Sequence, residues 1–103
     1  MLLWLVVSLT GCFRQEVVTV DIAIPQMKAE PCAELVLQSL QVLEAAAILD
    51  YQADLDRRVL RLTYNTTRLA LKNIEHAIAA AGFDANDVSA AEEARAALPA
   101  LCR

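Results

Sequence analysis

Val17-Val18-Thr19-Val20-Asp21-Ile22-Ala23-Ile24, stopped by Pro25, alternates side chains with a period of two. Val18, Val20, Ile22 and Ile24 share one face while Thr19, Asp21 and Ala23 share the other, which predicts a half-buried strand. Gln26 to Glu30 follows as a loop, and Pro31 suits the first turn of a helix, where its missing N–H costs nothing. From Cys32 to about Ala45, the residues Val36, Leu40 and Leu43, flanked by Ala33 and Leu37, recur at helical spacing and mark a core-facing stripe. A strand, a loop and a helix therefore open the fold.

Downstream, Ala47 to Ala53 is expected to form a second strand and Asp54 to Arg58 a charged turn. Val59 to Tyr64 alternates again, with Leu60, Leu62 and Tyr64 set against Arg61 and Thr63, and predicts a third strand. Asn65-Thr66-Thr67 is a break and a candidate N-cap for a second helix. That helix carries Leu71, Ile74, Ala77, Ile78 and Ala81 on one face and stops at Gly82, which tolerates the left-handed C′ conformation. Phe83 to Val88 is expected as a short last strand, and Ser89 with Glu92 fits a capping box opening a helix over Ala90 to Leu98. The order predicts an α+β, ferredoxin-like βαββαβ sandwich: an antiparallel sheet, two helices on one face, and a short C-terminal helix.

Upstream, the apolar run Leu2 to Leu9 ends in Leu9-Thr10-Gly11-Cys12, which resembles the lipobox of bacterial lipoprotein signals. The run is shorter than the about 20 apolar residues that a spanning helix needs, so it reads as a removed export signal. This divides the chain into a signal peptide (1–11), a lipidated spacer (12–16), a domain (17–88) and a helical tail (89–103). Lipidation at Cys12 implies a lipid anchor and a periplasm-facing location. Phe13 supplies no evident inner-membrane retention signal, so the outer membrane is preferred.

Thirteen acidic against nine basic side chains leave no basic footprint for a nucleic-acid partner. Ser39 and Ser89 have no histidine at a plausible position and no glycine-rich phosphate loop exists, so no enzyme is expected. His76 lies two positions from both Ile74 and Ile78 and is expected to point to solvent. Asp54, Asp56, Asp84 and Asp87 lack the spacing of a calcium loop and read as turn residues. Arg57 and Arg58 read as a solvated, edge-protecting pair.

Between Val17 and Val88 the chain resembles the heavy-metal-associated domain family, the fold of small copper chaperones, periplasmic mercury-binding proteins and the N-terminal modules of metal-pumping ATPases. The resemblance rests on a first strand running into a Met-containing loop and on Leu60-Arg61-Leu62-Thr63-Tyr64-Asn65. Its most specific segments are Ile74-Glu75-His76-Ala77-Ile78 and Ala81-Gly82-Phe83-Asp84-Ala85. The family's loop reads Gly-Met-x-Cys-x-x-Cys, where this chain has Gln26-Met27-Lys28-Ala29-Glu30-Pro31-Cys32. Met27 and Cys32 match, while Ala29 replaces the first cysteine and Gln26 the glycine.

The resemblance implies a soft metal ion, Cu(I) foremost and otherwise Hg(II) or Zn(II), because thiolate sulfur suits soft cations. One thiolate does not suffice in that role, so the candidate ligands are Cys32, Cys102 and, secondarily, Met27, which in the family packs under the loop. Cys32 near a helix N-terminus is expected to have a depressed thiol pKa, opposed by Glu30. Phe83 is expected to shield the site.

With Cys12 lipidated, Cys32 and Cys102 remain of the three cysteines. A tail helix returning about 13 Å, plus about 13 Å of extended chain, covers the about 15 Å that a short last strand would carry the chain away from the loop. Three outcomes stay open: a shared soft-metal site, a Cys32–Cys102 disulfide, or a degenerate domain without metal. The expected function is binding or relay of a soft ion, with a metal-transport protein as partner. The alternative is a structural or interaction module of an envelope metal-efflux or resistance system that has lost the ion.

Overall fold

The computed structural model describes residues 16–103. The expected signal peptide and the lipidation site at Cys12 lie outside the described residues. Strand β1 (Val17–Ala23) is followed by helix α1 (Glu30–Ser39), strands β2 (Ile48–Asp54) and β3 (Val59–Asn65), helix α2 (Leu71–Ala80) and helix α3 (Glu92–Ala97). The antiparallel sheet has the order β1-β3-β2.

β1 pairs with β3 without a break from Val17↔Asn65 to Ala23↔Val59. That register places Val18, Val20 and Ile22 opposite Tyr64, Leu62 and Leu60, all on the face that the helices cover. Ile22, Leu60 and Leu62 are fully buried there, packed in one core with Val36, Ile74, Ile78 and Phe83. On the open face, the Thr19 and Thr63 hydroxyls lie 2.8 Å apart and Arg61 donates to Asp21 at 3.0 Å. Both partners of that ion pair are about half exposed, so solvent screens it and it adds little to the stability of the sheet.

The expected fourth strand does not form. Phe83 to Val88 contributes one bridge, Ala85↔Val88. Asn86, at φ 51°, occupies the end of the β1 edge: its N–H donates to the Ala23 carbonyl (3.0 Å) and its side-chain oxygen accepts the Ala23 N–H (2.9 Å). The cause lies next to it. The Asp84 carboxylate accepts the Ala90 N–H at 2.8 Å, closing a tight loop that turns the chain back before it can run along β1. The expected four-stranded βαββαβ sheet is thus three-stranded, with this turn standing at one end of the fourth strand's place.

Three further boundaries differ from expectation. α1 ends at Ser39, whose hydroxyl donates to the Val36 carbonyl, and the chain continues through 3-10 turns at Leu40–Val42 and Ala45–Ala47. Asn65 does not cap α2, whose N-cap is Ala70; its side chain accepts from the Thr67 N–H and hydroxyl instead. The Ser89 capping box is absent as well. α3 begins after Ala91, and the Ala91 N–H reaches across to the Ala79 carbonyl at the end of α2 (2.9 Å). Asp84 and Ala79 thereby do for the start of the tail what a capping side chain does for an isolated helix.

The sheet has two poles. At one lie the start of β1, the start of β2 and the end of β3, since Val18 pairs with Tyr64 and Tyr64 with Ile48. At the other lie the β1–α1 loop and the β2–β3 turn, since Ala23 pairs with Val59 and Val59 with Asp54.

Candidate metal centre

The site is built where β1 hands over to α1. Ile24, fully buried, donates to the Arg58 carbonyl at 2.9 Å, and its own carbonyl accepts the Met27 N–H at 3.0 Å. This turns the loop inward, so Met27 is fully buried in the core as the resemblance implies for a packing residue. Ala29, in extended conformation, is the N-cap of α1; its carbonyl accepts the Cys32 and Ala33 N–H groups at 3.0 and 3.1 Å. Cys32 therefore sits in the first turn of α1, fully buried.

The tail brings in the second sulfur. α2 ends through Gly82 at φ 109°, and a Cβ on Gly82 would meet the Ala94 carbonyl carbon and oxygen at 2.8 Å. Only glycine permits both that backbone conformation and so close an approach of α3. Beyond α3, Leu98 is buried and Ala100–Cys102 forms a 3-10 turn. Arg103 donates through Nε to the Leu98 carbonyl (2.9 Å), and Lys28 Nζ donates to the Arg103 carbonyl (3.1 Å), tying the last turn over the loop.

Cys32 and Cys102, 70 positions apart, are joined as a disulfide with Cα atoms 5.5 Å apart, and Cys102 is also fully buried. Of the outcomes open to the sequence, the covalent one is present. In this state neither sulfur is a thiolate, and both are fully buried in the core that also holds Met27 and Phe83. Two-electron reduction would leave two thiols on adjacent backbones, a donor set suited to a soft cation. Among the described residues no cluster of three or more His, Cys, Asp or Glu side chains is placed to hold a metal. His76 is exposed, as its helical position predicts.

The loop is braced by contacts with no sequence signal. Gln26, nearly buried, donates through Nε2 to Asp84 Oδ2 (2.8 Å) and accepts the Asp84 N–H at Oε1 (3.0 Å). Asp84 thus joins the loop, the exit of α2 and the start of the tail. The Ala90 N–H, and secondarily the Gln26 amide, hold its carboxyl below the ordinary aspartate value against the opposing effect of partial burial. Arg58 is not an edge guard alone: at φ 56° it turns the β2–β3 hairpin and donates to the Pro25 carbonyl at 3.2 Å. Asp54 accepts the Arg57 N–H at 3.1 Å, which is turn chemistry as expected. Glu75, unremarked in the sequence, is buried; Asn86 donates to its Oε2 at 2.7 Å, while Oε1 accepts no hydrogen bond and lies 3.3 Å from Lys72 Nζ.

No protein-family model matches the sequence, and comparison with curated proteins finds no match. Solved structures do match. The oxidised form of MerP from Ralstonia metallidurans CH34 is similar over 69% of this chain and 96% of its own, with TM-score 0.62 and 18% identity. A putative copper-ion-binding protein from Bacillus anthracis str. Ames is similar over 71% of this chain and 100% of its own, with TM-score 0.62 and 16% identity. A copper-binding domain from HMA7, a P-type ATPase, is similar over 71% of this chain and 92% of its own, with TM-score 0.59 and 15% identity. At these identities the likeness speaks for the backbone: the described residues adopt the ferredoxin-like fold of heavy-metal-associated domains, with a turn bridged to itself at Ala85↔Val88 in place of the fourth strand.

Proposed function

We propose that this chain is a lipid-anchored, extracytoplasmic domain that binds or relays a soft metal ion, Cu(I) foremost, on Cys32 and Cys102 once their disulfide is reduced. The observation that carries the reading is the meeting of two sulfurs at the β1–α1 loop, with Cα atoms 5.5 Å apart, although the loop itself holds one cysteine. The similar solved structures add support, since they include copper-binding domains and MerP in its oxidised form. No catalytic step belongs to this reading.

The disulfide makes loading conditional. A partner dithiol opens it by thiol–disulfide exchange: one partner thiolate attacks a protein sulfur, the second releases the mixed disulfide, and Cys32 and Cys102 each gain a proton as the partner is oxidised. Both sulfurs are fully buried, so the tail from Leu98 onward must lift before attack. Binding of a cation then displaces the two thiol protons. Transfer proceeds by ligand exchange, an incoming partner thiolate joining the ion before Cys32 leaves, and Met27 is the candidate third ligand if the loop opens.

A second reading is favoured by the same bond. With both sulfurs sealed, the disulfide acts as a permanent staple of a structural or interaction module in an envelope metal-efflux or resistance system. Anaerobic titration of the reduced protein with Cu(I) separates the two. Stoichiometric binding that is lost in Cys32→Ser and in Cys102→Ser supports the metal reading. Indifference of the reduced wild type to Cu(I), Hg(II) and Zn(II) leaves the staple reading.

A further inference from the structure

The Cys32–Cys102 bond joins two unlike pieces of chain. Cys32 belongs to α1, a ten-residue helix whose Ala33 and Val36 are buried with it in the core. Cys102 belongs to a three-residue 3-10 turn, Ala100–Cys102, and its neighbours Ala100, Leu101 and Arg103 are all exposed. The turn is held mostly by itself: the Cys102 N–H donates to the Pro99 carbonyl at 2.8 Å and the Arg103 N–H to the Ala100 carbonyl at 3.4 Å. Among the described residues, the one hydrogen bond from residues 99–103 to a segment outside the tail is that of Lys28 Nζ with the Arg103 carbonyl. Few outside bonds and exposed flanks put such a turn at the low end of local stability, so it opens without α1.

We infer that Cys102 Sγ is the atom an incoming thiolate attacks, so that the mixed disulfide forms on the tail and Cys32 is the sulfur set free. The inference rests on the proposed opening of the bond by a partner dithiol and names the sulfur which that opening uses. A thiolate attacks a disulfide along the sulfur–sulfur axis, from the side opposite the sulfur that leaves. To expel Cys102 it would have to arrive from the α1 side, through the core that holds Met27, Ala33 and Val36. To expel Cys32 it arrives from the tail side, which is one layer of chain with exposed residues on it. Opening that layer bares Cys102 while α1 and the sheet stay packed. Charge acts in the same sense: exposed Lys28 and Arg103 stand at the tail turn and favour an anion, whereas Glu30 stands in the first turn of α1. One S–S bond forms and one breaks: the partner sulfur bonds to Cys102 Sγ, and the electron pair of the Cys32–Cys102 bond leaves on Cys32 Sγ, which takes a proton from water. The partner's second thiol then attacks the partner sulfur of the mixed disulfide, which releases Cys102 and leaves the partner oxidised. Between the two steps Cys32 is a free thiol at the loop–helix junction, the first sulfur open to an ion, while the tail still holds the partner.

The test uses the oxidised protein carrying Cys12→Ser, with reduced glutathione as a monothiol probe. Acid quenching at early times, alkylation of the freed thiol with N-ethylmaleimide and digestion with trypsin separate the two sulfurs, since Cys32 falls on the fragment from Ala29 to Arg57 and Cys102 on the fragment from Ala96 to Arg103. The expected result is glutathione on the Cys102 fragment and alkylation on the Cys32 fragment, favoured over the reverse by on the order of ten to one. Leu98→Ala, which removes a buried anchor of the tail, should speed adduct formation about tenfold, and Ile74→Ala, which loosens the core through α2, by no more than about twofold. Glutathione found mainly on the Cys32 fragment of the folded protein overturns the inference and leaves reductive loading standing. Equal acceleration by the two substitutions, or no adduct on the folded protein, means that the bond opens only on unfolding; either overturns the inference together with reductive loading and leaves the permanent staple.

Discussion

Reducing the Cys32–Cys102 bond should be the single most destabilising change that leaves every amino acid in place. The bond closes a loop of 70 positions, which in the chain-entropy model removes about 15 cal/mol/K from the unfolded ensemble, or about 4.4 kcal/mol at 25 °C. Any fraying of the freed tail lowers the free energy of the reduced native state and subtracts from that figure, so the expected loss lies between about 3 and 4.4 kcal/mol. Urea unfolding, followed by circular dichroism on oxidised and reduced protein with Cys12→Ser to remove the third thiol, measures it. For a domain of this size the thermal midpoint should fall by roughly 15–30 °C, and the urea slope should rise because the unfolded chain expands. Cys32→Ala combined with Cys102→Ala should track the reduced wild type in the absence of reductant. A difference below about 1 kcal/mol between the two redox states would falsify the account, since a loop of that length cannot be opened at so small a cost.

Asp84→Ala should cost about 2 kcal/mol, because it frees the Ala90 N–H and the Gln26 amide together; chemical denaturation reads it. The folded-state pKa of Asp84 is depressed, so its contribution is complete above the ordinary aspartate value and is lost as pH falls through the lower folded value. Asp84→Asn should accordingly flatten the stability profile on the acid side, below about pH 4, and an unchanged acid slope would refute the assignment. Gly82→Ala should cost about 2–4 kcal/mol by combining a positive φ with a clash against the Ala94 backbone, and hydrogen exchange should rise first in α3. Phe83→Ala, emptying a fully buried aromatic site in the core, should cost about 3–5 kcal/mol by thermal or urea unfolding.

Much of the fold was legible locally. The period of two in Val17 to Ile24 and in Val59 to Tyr64, and the spacing of Ile74 and Ile78, report burial that each segment carries in its own side chains. β1, β3 and the core-facing residues of both main helices therefore stand where the pattern puts them. The misread fourth strand shows where local reading ends. Phe83 to Val88 has the composition of a short strand, but an Asp84 carboxylate six residues from the Ala90 N–H turns the backbone, and nothing in the segment's alternation reports that bond. The Ser89 capping box failed for a related reason: the Ala90 and Ala91 N–H groups are held by Asp84 and by the Ala79 carbonyl, and the helix begins after Ala91, two residues later than a Ser89 cap requires.

What the sequence determined by itself is whatever depends on neighbours in the chain: strand and helix periods, the stop at Gly82, the loop with one cysteine and the stranded Cys102. Only the tertiary structure decided the partners. Gln26 meets Asp84 across 58 positions, Arg58 reaches the Pro25 carbonyl, and the tail lays Cys102 on Cys32 across 70. These pairings have no periodic signature, because contact between distant segments is set by how the sheet, the helices and the Gly82 exit pack, and many arrangements of the same local elements would leave those side chains apart.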